Sequence, residues 1–232
     1  MIKAIFFDFN GVIINDEPLQ MKAYQEVLAQ YDISLSEAQY YSSLGMDDRT
    51  FIRTAFERAS KTLTDEIMSA VVQGKTEVHR GLLTDDLPLF PGIVTFLKAA
   101  SRCYELGIVS MSNLEELQYV LDRAQLKTLF SVLITAEDVN SCKPAPDCYL
   151  LARERLNTQL REARQLPLLP EECLVVEDSP PGIQSGREAG MRTLGVTNTV
   201  TEEELRAAGA EVVTRNLSDW NVDAVHHVFS KG

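Results

Sequence analysis

Short apolar runs recur along the chain, spaced so that a helix fits between each pair. Residues 3–9 (KAIFFDF) form an aromatic-rich run that ends at a polar turn containing Gly11. A strand buried on both faces reads this way, because neither face has a position to spare for polar side chains. Equivalent runs lie at 105–110 (ELGIVS), 132–135 (VLIT), 173–177 (CLVVE) and 191–197 (MRTLGVT). Between them the apolar positions change to helical spacing, over 92–102 after Pro91-Gly92, 113–125, 146–157 and 181–189. Gly190 follows the last of these as a helix-ending residue. Strands alternating with helices predict an α/β fold on a parallel, doubly wound sheet.

The segment 16–86 breaks the alternation. It carries helical patterns at 17–31 (EPLQMKAYQEVLAQY), 36–42, 47–60 and 64–80, and no strand pattern. A helical block inserted after the first strand predicts a cap domain over 16–86, set on a core domain made of 1–15 and 87–232. The return to the core, LPLFPGI at 87–93, has two prolines and a glycine and reads as a hinge. Residues 158–171 exceed a compact helix-to-strand link and read as a helix extension followed by a surface loop. The chain has no internal repeats or low-complexity segments.

Composition narrows the class of partner more than the fold. Apolar residues make up 45% and charged residues 24% of 232, as in ordinary globular proteins. The net charge of -12, from 22 basic and 34 acidic residues, repels phosphate backbones and anionic lipid, so no nucleic-acid or membrane partner is expected. Inside a cleft, a few local cations can still reverse that sign for a small anion. Cys103, Cys142, Cys148 and Cys173 fit neither a zinc site nor a disulfide framework and read as reduced thiols. With no signal-like apolar region at the start, a cytoplasmic protein is expected, as a monomer or weak dimer.

Ligands of an open parallel sheet bind beyond the carboxyl ends of its strands. Asp8 ends the first strand run, Ser110 the second and Glu177-Asp178 the fourth, while Lys143 follows the third. Four segments thus bring polar groups to one sheet edge, and the residue types suit phosphoryl transfer. A carboxylate can attack phosphorus. Further carboxylates beside it require a hard cation between them, and oxygen-only ligation suits magnesium. A hydroxyl and a lysine supply donors to the equatorial oxygens. Simpler roles compete: a strand-end turn for Asp8, a helix N-cap for Ser110 and a solvated loop position for Lys143.

These segments resemble the motifs of the haloacid dehalogenase superfamily: FFDFNGVI at 6–13, IVSMSN at 108–113, SCKPAPDCY at 141–149 and VVEDSPPGI at 175–183. The order and spacing are similar across nearly the whole chain, most of all to the branch of beta-phosphoglucomutases and phosphoglycolate-type phosphatases. The resemblance implies a Rossmann-like core with a helical cap and a magnesium cofactor. It implies Asp8 as nucleophile and metal ligand, with the backbone carbonyl of Asn10, Glu177 and Asp178 completing the metal site. Glu177 could instead act one shell removed. Ser110 and the Met111 amide would bind the transferring phosphoryl group, and Lys143 would steady it and Asp8.

Position 10 departs from the pattern, since phosphatases of this family carry there a second aspartate that acts as general acid/base. An amide has no titratable proton near neutral pH. General acid–base catalysis is typically worth ~10²–10⁴ in rate. The readings left open are a slow enzyme, another proton carrier such as Asp16 or Glu17, and an aspartate replaced by design. Deamidation at Asn10-Gly11 is a fourth. Schiff-base chemistry would need a cap lysine, for which only Lys22, Lys61 and Lys75 exist. Metal-free dehalogenation would leave Glu177-Asp178 without a purpose.

In the cap, Gln20 stands where the mutase branch has a histidine, and Gly45 and Arg49 are candidate substrate contacts, with Arg53 beside them. His79, His226 and His227 read as surface or helix-packing residues, and Trp220 as core. The expected activity is magnesium-dependent phosphomonoester hydrolysis or phosphotransfer on a small phosphorylated metabolite through phospho-Asp8, slowed by Asn10. The alternative is a phospho-ligand-binding protein on the same scaffold.

Overall fold

The computed structural model describes residues 1–83 and 86–229; residues 84–85, within the expected cap segment, and 230–232 lie outside the described residues. Six parallel strands form one sheet in the order β3-β2-β1-β4-β5-β6. They are β1 (Ala4–Phe7), β2 (Glu105–Val109), β3 (Val132–Ile134), β4 (Cys173–Glu177), β5 (Arg192–Val196) and β6 (Val212–Thr214). β1 is central, with Phe7 opposite Ile108 of β2 on one side and Val176 of β4 on the other. Its four residues are all buried, which is why it reads as an unbroken apolar run.

Helices cover both faces of the sheet, giving the α/β, Rossmann-like architecture. They are α5 (Ile93–Ala100), α6 (Leu114–Ala124), α7 (Asp147–Glu162), α8 (Pro180–Glu188), α9 (Glu202–Ala208) and α10 (Val222–Phe229). Odd and even positions of β1 feed two different cores. Ile5 and Phe7 pack with Phe96, Leu97, Leu117 and Leu121, whereas Ala4 and Phe6 pack with Tyr149, Ala152 and Leu156. Period-two alternation therefore sets both layers. α7 runs five residues past the 146–157 pattern before the surface stretch that leads to β4. Trp220 is half-buried against the first core and lies near Phe229.

Between β1 and α5 come α1 (Glu17–Ala29), α2 (Glu37–Tyr41), α3 (Asp48–Arg58) and α4 (Asp65–Leu82). Side-chain caps start three of them, from Ser36, Asp47 and Thr64. These helices have their own apolar cluster, centred on Tyr24, Leu28, Phe51, Ile52, Phe56, Met68 and Val71. Phe56 is 1% exposed at its centre. Phe56→Ala should lower the stability of the unit holding α1–α4 by about 3–5 kcal/mol. Urea unfolding checks this, and a cost below ~1 kcal/mol would mean that this cluster does not hold the helices together.

Candidate active site

Strand order reverses beside β1, so the loops after β1, β2 and β4 open a crevice at their carboxyl ends. The loops deliver Asp8, Ser110 with Met111, and Glu177 with Asp178 into it, and the loop after β3 returns Lys143. Lys143 is 5% exposed, and its Nζ donates to Asp8 Oδ1 at 2.9 Å, Glu177 Oε1 at 2.6 Å and the Val109 carbonyl at 3.0 Å. It is no solvated loop lysine. Burial pulls its ammonium down, but the Asp8 and Glu177 carboxylates outweigh this and hold it above the ordinary lysine range. Ser110 is buried, and the N-cap of α6 is Asn113, whose side chain accepts from the Glu116 amide at 2.9 Å. That leaves the Ser110 hydroxyl free of the capping role.

Carboxylate oxygens of Asp8, Glu177 and Asp178 lie within 4.8 Å of one another, a group that could hold a metal ion. Burial, with Glu177 beside it, pushes Asp8 up to about 7 in spite of Lys143. Burial also pushes Asp178 well above the carboxylate range, with Asp8 and Glu177 adding to the effect. Asp178 accepts from the Thr199 hydroxyl. Gly11 has a φ of +75, and a Cβ there would run into the Asp178 carboxylate, so the turn after β1 can lie against Asp178 only as glycine. Glu177 differs: Lys143 and Tyr149 donate to its Oε1 and Ser179 to its Oε2. Oxygen-only donors, buried and short of positive charge, fit magnesium.

Asn10 is fully committed. Its Nδ2 donates to both oxygens of Asp16, at 2.9 and 3.0 Å, and its Oδ1 accepts from the Ser112 hydroxyl at 2.6 Å. Asp16 is 0% exposed and also pairs with His79 Nε2 at 2.9 Å. His79 is thus buried on the site side of α4. Of the two carboxyls adjoining the turn, Glu17 lines the cleft and Asp16 lies behind Asn10. Burial pushes Glu17 up to about 7, against the lowering effect of the Tyr40 hydroxyl that donates to it.

The cleft, with about 680 Å³ of empty space partly open to solvent, runs from Asp8 to the wall formed by α1, α3 and α4. Gln20 and Gly45 line the cleft. Arg49 and Arg53 are exposed and lie outside the lining. The reason is helical phase. Asp48, Phe51, Ile52, Ala55 and Phe56 occupy the buried stripe of α3, which turns Asp48 inward and Arg49 out. Lys22 and Lys61 are exposed, whereas Lys75 lines the cleft. Lys75 is bound by Asp48 at 3.0 Å and Glu116 at 2.9 Å. Burial lowers its pKa, but these carboxylates prevail and raise it, keeping the amine charged and unfit for Schiff-base attack. The network of Asp48, Lys75, His79 and Glu116 draws on three helices, α3, α4 and α6.

This fold and this edge of polar groups are those of a phosphotransfer hydrolase, and comparison with known proteins agrees. Residues 2–190 match the haloacid dehalogenase-like hydrolases, and the chain belongs to that family. A phosphorylated carbohydrates phosphatase of Thermotoga maritima is 28% identical over 95% of this chain and 98% of its own. The fructose-1-phosphate phosphatase of Escherichia coli is 29% identical over 83% and 95%, and hexitol phosphatase B of the same organism is 26% identical over 94% and 94%. Among solved structures, beta-phosphoglucomutase from Clostridium difficile shares the fold with a TM-score of 0.85 over 99% of this chain and 97% of its own, at 21% identity.

The raised carboxyls give a pH dependence. A folded-state pKa raised from 3.8 to about 7 contributes stability that is present below 3.8 and lost as pH rises through 7. Magnesium held by these carboxylates would offset that loss. Thermal unfolding should show a larger magnesium-induced increase at pH 8 than at pH 5, and Asp178→Asn should remove most of it. An increase independent of pH, or unchanged in the variant, would place the ion elsewhere.

Proposed function

We propose that this protein is a magnesium-dependent phosphomonoester hydrolase acting on a phosphorylated sugar or polyol through a phospho-Asp8 intermediate. The observation that carries the reading is the charge imbalance at the sheet edge, where Asp8, Glu177 and Asp178 converge with Lys143 as the one cation bonded to them among the described residues. Phosphorylated-carbohydrate phosphatases among its relatives support the substrate class.

Asp8, Asp178 and the backbone carbonyl of Asn10 would hold magnesium, with Glu177 orienting Lys143 and reaching the ion at most through its less committed Oε2. Bound there, the ion would neutralise charge on the phosphoryl oxygens. Asp8 attacks phosphorus, and Ser110, the Met111 amide and Lys143 hold the equatorial oxygens. The sugar oxygen leaves with a proton, and water then releases phosphate from Asp8. Asn10 has no proton to exchange, so Glu17, the cleft carboxyl that burial pushes up to about 7, supplies the proton transfer that remains. We assign residues 1–15 and 87–232 to the core and 16–86 to a cap that excludes water from the reacting groups.

The bonding of Asn10 favours a second reading, a phospho-ligand-binding protein with little turnover. A carboxylate at position 10 would face Asp16 at about the 2.9 Å now spanned by the amide, so the two positions must change together. Asn10→Asp combined with Asp16→Thr supplies an acid and a hydroxyl donor beside it. Phosphate release from sugar phosphates should then rise by ~10² or more. A rise of that size supports the phosphatase reading. Inertness of both proteins on every sugar, polyol and aryl phosphate tried contradicts it.

A further inference from the structure

We propose that the wall of the cleft built by α1, α3 and α4 recognises the uncharged, hydroxyl-bearing part of a monophosphate, with Gln20 Oε1 accepting from a substrate hydroxyl, and rejects a second phosphate. This rests on the phosphatase reading and adds the chemistry of the substrate's far end.

Gln20 is 5% exposed and lines the cleft. Its Nε2 donates to Asp16 Oδ2 and to Glu116 Oε2, each at 3.3 Å. Flipping the amide would set its oxygen against two carboxylates, so the orientation is fixed by its neighbours. The oxygen that remains, Oε1, is buried and has no hydrogen-bond partner. Buried carbonyls rarely go unpaired, and on a residue that lines a cleft the missing donor can come from a ligand. A sugar or polyol hydroxyl is such a donor; a phosphate oxygen is not.

Charge sets the second half of the specificity. A free cation at that end of the cleft would favour a distal phosphate. The lysine there, Lys75, is 2% exposed and spends its donors on Glu116 Oε1 and Oε2, at 3.0 and 2.9 Å, and on Asp48 Oδ1 at 3.0 Å. Asp48 is itself fixed by donors from Tyr24 and Asn113. Arg49 points away from the cleft, as α3's phase dictates. A second phosphate would therefore meet Glu17 and Asp48 with Lys75 already neutralised by Asp48 and Glu116, and like-charge contact of this kind is strongly unfavourable. Tyr24, Tyr40 and Phe51 complete the wall with surfaces suited to the carbon face of a sugar.

The test is titration calorimetry on the magnesium-loaded wild-type chain, with phosphate release followed in parallel. The ligands are a panel of hexose, pentose and hexitol monophosphates, their singly deoxygenated analogues, the matching bisphosphates and an aryl phosphate. At least one deoxy analogue should bind about tenfold more weakly than its parent, and bisphosphates ~100-fold more weakly than monophosphates. In Gln20→Met the deoxy penalty should vanish; the wild-type series decides alone if that variant does not fold. Equal binding of parents and all deoxy analogues, bisphosphate binding as tight as monophosphate binding, or no binding by any monophosphate overturns the proposal. Absence of phosphate release with these binding differences intact would instead overturn the phosphatase reading alone.

Discussion

Three carboxylates withdrawn from water cannot all stay ionised side by side without positive charge among them. At the carboxyl edge of this sheet Asp8, Glu177 and Asp178 meet that condition only in part. Lys143 bridges the first two, and Asp178 is left with a threonine hydroxyl. Much of the surrounding structure follows from that shortage. The β1 turn needs Gly11 to come close to Asp178, and Gly182 lets the Glu177 carboxylate sit against the start of α8, where a Cβ would collide with it. Pro181 and the Lys143 stem in turn receive the loop at Gly45, which joins the α1–α4 segment to the catalytic edge.

A second polar network joins the same segments and has the opposite character, because its charges are balanced within the protein. Lys75, Asp48 and Glu116 satisfy one another, and Thr76 and Asn113 fill the remaining positions. Buried ion pairs of this kind fix geometry more than they add stability. Here they fix α4 against α6, and through Gln20 and Asp16 they fix the side chain of Asn10. On the proposed reading one network takes an ion from solution and the other shapes the cleft in which that ion would act.

The first network was legible in the sequence because its carboxylates end apolar runs, Lys143 follows another, and strand ends in a parallel sheet share one edge. The sheet's centre was legible for the same reason: β1 and β4 are buried on both faces. β6, α9 and α10 were not. β6 is a three-residue edge strand with every residue half-buried, so its pattern carries no clear period, and α9 and α10 are only seven and eight residues long. The second network joins residues up to 96 positions apart, beyond any local pattern. One signal was present: Met68, Val71, Lys75 and His79 continue a single buried stripe of α4. A lysine and a histidine on an apolar stripe point inward, and on α3 the same reasoning turns Asp48, not Arg49, toward the cleft.

The most direct test is chemical trapping of the nucleophile. The protein, incubated with a phosphate donor with and without magnesium and quenched in acid, would be digested and analysed by mass spectrometry. The account predicts one phosphoryl group on the peptide that contains Asp8, formed only with magnesium and absent from Asp8→Ala. A phosphoryl group on another residue, or none on Asp8 with any donor that binds, would contradict it.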